Sequence, residues 1–128
     1  MRNSIFILFS IFLLSCSSTN SPTKISKFAG TYQGAVVTTR ALSGIGTAVV
    51  TVNSDGGISG EIKIQDQGTT ETIDVESDPV FINEITEDSY SIKLSNYTLI
   101  LYFIDSGNSV KIECFSSTRT ITGTLTKK

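Results

Sequence analysis

The sequence contains no histidine and no tryptophan in its 128 residues. Histidine is the commonest general base and the commonest zinc ligand in proteins, and it titrates near neutral pH. No Gly-x-Ser-x-Gly pattern is present, so a serine nucleophile lacks its usual context. Nothing in the sequence places two carboxylates in one cleft for glycosidic cleavage. We therefore predict that the protein is not an enzyme and that it holds no cofactor and no metal.

Basic residues are also scarce, with ten Lys and Arg against twelve Asp and Glu. Nucleic-acid binding needs a basic face that displaces counterions from phosphates. The eight carboxylates between positions 66 and 88 are accompanied by no Lys or Arg. The charge distribution therefore argues against a nucleic-acid partner.

A single long apolar run is present, and it lies close to the amino terminus at residues 5–14. A helix that crosses a bilayer needs about 20 apolar residues, so this run is too short to span one. Arg2 precedes the run and small residues follow it, which is the pattern of a secretory signal peptide that is removed. Ordinary cleavage after a small residue near positions 15–18 would release a free exported domain.

The residues that end this run, Leu13-Leu14-Ser15-Cys16, resemble the lipobox of bacterial lipoproteins. The resemblance implies signal-peptidase recognition through Leu13, Leu14 and Ser15, removal of residues 1–15 and acylation of Cys16 with palmitate-like chains. Stable anchoring takes two or more such chains. The expected location is the cell envelope, anchored to a membrane by lipid. In a Gram-negative host, Ser17 after the cysteine favours the outer membrane.

After the cysteine, residues 16–27 are rich in Ser, Thr, Asn and Pro, which is typical of a flexible tether. Residues 28–128 are then enough for one domain with a modest core. With Cys16 lipidated, Cys114 has no partner for an intramolecular disulfide. We expect Cys114 to face the core, since it shares the alternation of Val110 and Ile112. We also expect a monomer.

The domain alternates apolar and polar residues with a period of two, and turn residues separate the segments. The sequence "NSDGG" at 53–57 predicts a hairpin between strands at 46–53 and 58–64. Further strands are predicted over 28–37, 70–76, 80–85, 89–94, 97–104, 109–115 and 119–126. Pro79 is expected at a strand start.

These segments predict an all-β fold, an antiparallel meander of about eight strands. Glycines inside the predicted strands, at Gly30, Gly34, Gly60 and Gly123, favour the bends of a small closed or nearly closed barrel. A β-sandwich with bulges at the same glycines is the alternative.

If the first and last strands pair, the Arg119 guanidinium would lie over the Tyr32 ring. This arrangement resembles the calycin superfamily, the lipocalins and their relatives, with Gly30-Thr31-Tyr32 in place of their Gly-x-Trp motif and Arg119 in place of their late arginine. The resemblance implies a barrel that holds a small apolar ligand.

Two functions remain open for the anchored domain. The first is a non-catalytic binding module whose ligand or core lining includes Tyr32, Tyr97, Leu99, Leu101, Phe103 and Arg119. The second is an envelope-structural or protein-interaction role, with a solid core and an exposed apolar face at Ile100, Tyr102 and Ile104. An inhibitor of an exported hydrolase ranks last, because the signature loop of small lysozyme inhibitors is absent.

Three acidic residues with the same alternation could together hold a metal ion. Asp74, Glu76 and Asp78 share one parity, and oxygen ligands at this spacing suit Ca²⁺. We favour the simpler interpretation, in which these charges keep an edge strand from pairing with other chains.

Overall fold

A computed structural model describes residues 21–39, 44–66 and 68–128 of the chain. This part of the chain is a single antiparallel sheet. Its nine strands are β1 (Gly30–Thr39), β2 (Ile45–Val52), β3 (Ile58–Asp66), β4 (Thr69–Ser77), β5 (Ile82–Thr86), β6 (Ser89–Lys93), β7 (Thr98–Ile104), β8 (Ser109–Phe115) and β9 (Thr120–Lys127). The prediction of an all-β meander is confirmed, and each of the nine strands overlaps one of the nine predicted segments.

The strand order is β4-β3-β2-β1-β9-β8-β7-β6-β5. The first and last strands pair as predicted, with Val36 opposite Gly123. The sheet curls strongly into a half-barrel, and its free edges are β4 and β5. The barrel is therefore open between these two strands and not closed, and the sheet does not divide into the two layers of a sandwich.

Alternation along the strands decides which side chains face the interior. In β7, Leu99, Leu101 and Phe103 are buried, whereas the residues between them are half-buried or exposed. The interior is filled by aliphatic and aromatic side chains: every strand except β5 contributes buried ones, and Ile82 of β5 packs against them while partly buried. Because burial of each large apolar side chain is worth about 1.5 to 3 kcal/mol, this filled interior supplies the main stabilisation of a fold without a disulfide.

The hairpin at 53–57 is confirmed. The Asn53 amide donates to the Gly57 carbonyl at 2.8 Å, and Gly56 adopts a φ of +96°. The Gly57 amide donates to the Asp55 carboxylate at 2.8 Å. Small residues and a side-chain acceptor thus set the register in which Val52 faces Ile58.

A 3₁₀ segment, Ser21–Phe28, precedes β1. Ile25 and Phe28 from this segment are buried in the core, and Lys24 pairs with Glu84 of β5 at 3.4 Å. The prediction that residues 16–27 form a flexible tether is therefore wrong for residues 21–27. The segment contributes only two core residues, Ile25 and Phe28, which are too few to form a repeated apolar pattern.

A second 3₁₀ turn, Pro79–Phe81, joins β4 to β5. Pro79 opens this turn, so β5 begins at Ile82 and not at position 80 as predicted. A proline at the first helical position needs no hydrogen-bond donor. The turn leaves Val80 and Phe81 exposed to solvent.

Candidate functional site

The half-barrel has two ends with different chemistry. We call the end that carries the Ser21–Phe28 segment the proximal end; the start of β1 and the turn Asp105–Gly107 also lie there. We call the opposite end, which carries Glu71, Tyr97 and Arg119, the distal end. The candidate site lies at the distal end.

Glu71, near the start of β4, organises the distal end. The Arg119 guanidinium donates to Glu71 Oε1 at 2.7 Å, and the Tyr97 hydroxyl donates to Glu71 Oε2 at 3.2 Å. Both carboxylate oxygens are therefore occupied. The three residues come from an edge strand, the β6–β7 turn and the β8–β9 turn, so their contacts bridge the open side of the curled sheet.

The environment of Tyr97 keeps its hydroxyl protonated. Burial raises the pKa of Tyr97, and the negative charge of Glu71 raises this pKa further. A protonated hydroxyl is a donor and holds its contact with the carboxylate. The distal end therefore presents a hydrogen-bonded, charge-balanced polar group.

Two clefts flank this polar group and share the turn 94–97. The larger has a volume of about 400 Å³ and the smaller about 230 Å³. The larger is lined by residues 93–98 and 115–117, and the smaller by residues 71–74 and 94–97. Their walls mix apolar side chains, such as Tyr97 and Phe115, with serine, threonine and asparagine, a composition suited to non-covalent binding.

Tyr32 lies at the proximal end, and its predicted contact with Arg119 is wrong. The β1–β9 register sets Tyr32 opposite Lys127, whereas Arg119 precedes the other end of β9. Lys127 Nζ lies 5.7 Å from the centre of the Tyr32 ring. A cation does lie over the Tyr32 ring, but it is Lys127, because the register of β1 and β9 places Lys127 and not Arg119 opposite Tyr32.

The Tyr32 hydroxyl ties the proximal end together. It lies within hydrogen-bond distance of two carbonyl oxygens, 2.7 Å from that of Phe28 and 3.0 Å from that of Gly107. The Phe28 ring stacks on Phe103 with centroids 4.1 Å apart, and Tyr90 meets both rings edge to face. This aromatic cluster plugs the proximal end of the half-barrel.

The six residues predicted as ligand or core lining divide between two places. Tyr32, Leu99, Leu101 and Phe103 are core residues of the filled interior, whereas Tyr97 and Arg119 lie at the distal end. A ligand inside the half-barrel would have to displace buried side chains. Of the distal pair, Tyr97 lines both clefts.

Glu71 was missed from the sequence, although a signal for it exists. Glu71 shares the parity of Ile73 and Val75, which face the core. An inward-facing carboxylate near a strand end needs a partner. The partner, Arg119, is 48 residues away in sequence, and only the curl of the sheet brings the two together.

Cys114 faces the core as predicted and is a free thiol. Burial, the largest influence, raises its pKa to about 12. The thiol is therefore protonated at physiological pH and is a poor nucleophile.

This shift makes the stability fall at alkaline pH. The unfolded chain releases the Cys114 proton near its ordinary pKa of 9.0, whereas the folded chain holds it to about 12. Between these values the unfolded state binds fewer protons, so the free energy of unfolding falls as pH rises. In urea unfolding over this pH range, we expect the free energy of unfolding of Cys114→Ala to fall less steeply with pH than that of the parent, by about 1.4 kcal/mol per pH unit. Equal slopes in the two proteins would contradict the buried thiol.

The carboxylates Asp74 and Glu76 belong to β4, which is a free edge of the sheet. This position fits the interpretation that these charges keep the edge strand from pairing with other chains. Asp74 and Glu76 are exposed on β4, and Asp78 follows the strand. Within residues 21–39, 44–66 and 68–128, no group of three potential ligands is positioned to hold a metal ion.

Ser21 and Lys24 match the Ser-x-x-Lys spacing of some acyl-transfer enzymes. Lys24 is exposed and paired with Glu84, so its ammonium is not held in the desolvated setting that a lysine base needs.

The predicted processing residues Leu13, Leu14, Ser15 and Cys16 lie outside the described residues. Across the described part of the chain, no helix has the length and apolar character needed to cross a bilayer. No known protein-family model and no curated protein sequence matches the chain.

Proposed function

We propose that this chain is a lipid-anchored lipoprotein of the bacterial cell envelope that acts as a non-catalytic binding module. The ligand site is the pair of clefts at the distal end. The observation that carries this assignment is the open space beside the fixed Glu71–Tyr97–Arg119 group, in contrast to a filled interior.

The anchor rests on the resemblance of Leu13-Leu14-Ser15-Cys16 to a lipobox. The described chain begins at Ser21 and packs on the proximal end. An anchor at Cys16 would therefore hold the proximal end towards the membrane and leave the distal clefts turned away from it. A site on that side is accessible to soluble ligands.

The clefts fit a small, partly apolar molecule. The larger volume, about 400 Å³, lies within the range of known small-molecule sites. Tyr97, Leu94 and Phe115 offer apolar surface, and the serine and asparagine side chains around them supply donors and acceptors. A fatty acid or a similar amphipathic molecule matches this mixture.

Anchoring predicts a specific labelling result. In cells fed labelled palmitate, we expect the intact chain to incorporate label and to fractionate with membranes, and Cys16→Ser to do neither. Cys114→Ala removes the other cysteine and serves as the matched control, which should label normally. Label that persists in Cys16→Ser would overturn the anchor.

Ligand binding predicts a second result, measured by displacement of a fluorescent fatty acid from the unlipidated Cys16→Ser domain. Asn96 lines both clefts and is exposed, so Asn96→Trp should fill them without disturbing the core. We expect micromolar binding to weaken at least about tenfold, because the blocked surface contributes more than 1.4 kcal/mol. Asn108→Trp, in an exposed turn at the proximal end, should bind as the parent does.

A protein partner is the second candidate, favoured by one observation on the outer face of the sheet. A groove of about 340 Å³ is lined by Tyr102 and Ile104 of β7 with Lys111 and Glu113 of β8, and Ile104 is exposed. A photo-crosslinker at Ile104 should capture one dominant envelope protein in intact cells. A crosslinker at the exposed Ile45, at the distal end, is the control, and similar weak products from both sites would count against this candidate.

A further inference from the structure

We infer that the turn Pro79–Phe81 is a membrane-docking surface, with Val80 and Phe81 inserting into the bilayer next to the lipid anchor. This inference rests on the proposed lipidation of Cys16. It adds a second, non-covalent contact with the membrane, made by the folded domain itself.

Two large apolar side chains in this turn are exposed to solvent. Val80 is 70% exposed and Phe81 is 67% exposed. They are adjacent in sequence, and the 3₁₀ geometry of the turn buries neither of them. Neighbouring large apolar side chains that face water mark an interaction site more often than single ones do.

The position of the turn relative to the anchor follows from chain length. The Ser21–Phe28 segment lies against the turn, and its Lys24 contacts the adjoining strand β5. Five peptide steps from Cys16 to Ser21 span at most about 18 Å. Three further residues of 3₁₀ structure to Lys24 add about 6 Å.

An acylated Cys16 would therefore lie within about 24 Å of Lys24, since the tether length is an upper limit. A ten-residue strand such as β1 is itself about 33 Å long. An anchor on so short a tether holds the bilayer nearer to the proximal end than to the distal end, and the turn beside Lys24 falls within reach of the bilayer surface.

The charges near the turn favour contact with uncharged lipid. The Lys24 ammonium lies 3.4 Å from the Glu84 carboxylate, which offsets one charge on β5. Asp78, Glu87 and Asp88 are exposed carboxylates at this end, but Lys27 and Lys127 lie there as well, so the charges of both signs select neither an anionic nor a cationic surface. Apolar insertion into zwitterionic lipid is the mode that remains.

A second copy of the chain fits this surface less well. A large aromatic side chain buries about 150 to 250 Å², and Val80 adds less than that. A stable protein interface buries at least about 1,200 Å² in total. Two adjacent side chains suffice for an insertion that supplements a lipid anchor, but they do not supply a dimer interface.

The absence of tryptophan from the chain allows a direct test. Phe81→Trp places a single indole in the turn. Ile45→Trp is the matched control, since Ile45 is 66% exposed and lies at the start of β2, at the distal end. Each variant is expressed with its signal sequence, purified as the lipidated protein and reconstituted into phosphatidylcholine vesicles with or without brominated acyl chains.

We expect indole emission at position 81 to shift to shorter wavelength in vesicles and to be quenched several-fold more by brominated lipid than emission at position 45. Equal, weak quenching at both positions in protein that floats with the vesicles would overturn the docking and leave the anchor intact. A blue shift without bromolipid quenching would indicate contact between copies and would also overturn it. Protein that carries no lipid and does not float would instead refute the proposed anchoring.

Discussion

Replacing Phe28 with alanine is expected to lower the free energy of unfolding by about 3 to 5 kcal/mol. Phe28 is buried in the plug of the proximal end and stacks on Phe103. Its removal leaves a cavity beside rings that other contacts hold in place. The Tyr32 ring, for example, is held by its hydroxyl, which donates to the carbonyl of residue 107. Because this cavity cannot collapse freely, the cost falls at the upper end for a large-to-small change.

Urea unfolding of the Cys16→Ser chain, followed by circular dichroism, measures this change. Phe81→Ala is the matched control, because it deletes the same atoms from a side chain that is 67% exposed. We expect that variant to remain within about 0.5 kcal/mol of the parent. Similar losses at positions 28 and 81 would show that the proximal segment is not part of the core.

Replacing Gly60 with alanine is expected to destabilise the fold by about 3 to 5 kcal/mol, or to prevent folding. Gly60 lies in β3 between Val50 and Val75 and has a φ of +141°. A Cβ at this position would collide with the backbone carbonyl oxygen of Val49. The neighbour is main chain in a paired strand, so it cannot move aside without breaking the ladder.

Gly68→Ala separates backbone strain from collision. Gly68 has a φ of +79°, and no atom lies within 4 Å of an added Cβ there. We therefore expect a loss of only about 1 to 2 kcal/mol, from the left-handed backbone alone. Thermal and urea unfolding of both variants checks the difference, and equal effects at the two glycines would contradict a collision at Gly60.

Several elements of the fold were predictable because their causes are local. The alternation of Leu99, Leu101 and Phe103 defines an inward face wherever the strand lies. The turn sequence at 53–57 sets a hairpin by its own hydrogen bonds. The inward orientation of Cys114 follows from the same alternation.

The candidate site was predicted only in part. Tyr97 and Arg119 were both identified as ligand or core lining, and Arg119 was also expected over the Tyr32 ring. Their common partner Glu71 was not identified, because it lies on a strand that the sheet curl alone brings near them. The Tyr32 contact was assigned to the wrong cation because antiparallel pairing sets the start of β1 beside the end of β9, where Lys127 lies and Arg119 does not.

The sequence by itself determined the alternation of its strands, the tight turn at 53–57 and the lack of histidine chemistry, since each depends on neighbours within a few residues. Tertiary structure alone decided that the half-barrel stays open between β4 and β5, that Phe28 plugs one end and that Glu71 meets Arg119 at the other. These features depend on curl and register accumulated over nine strands, and small changes in either would bring different residues together.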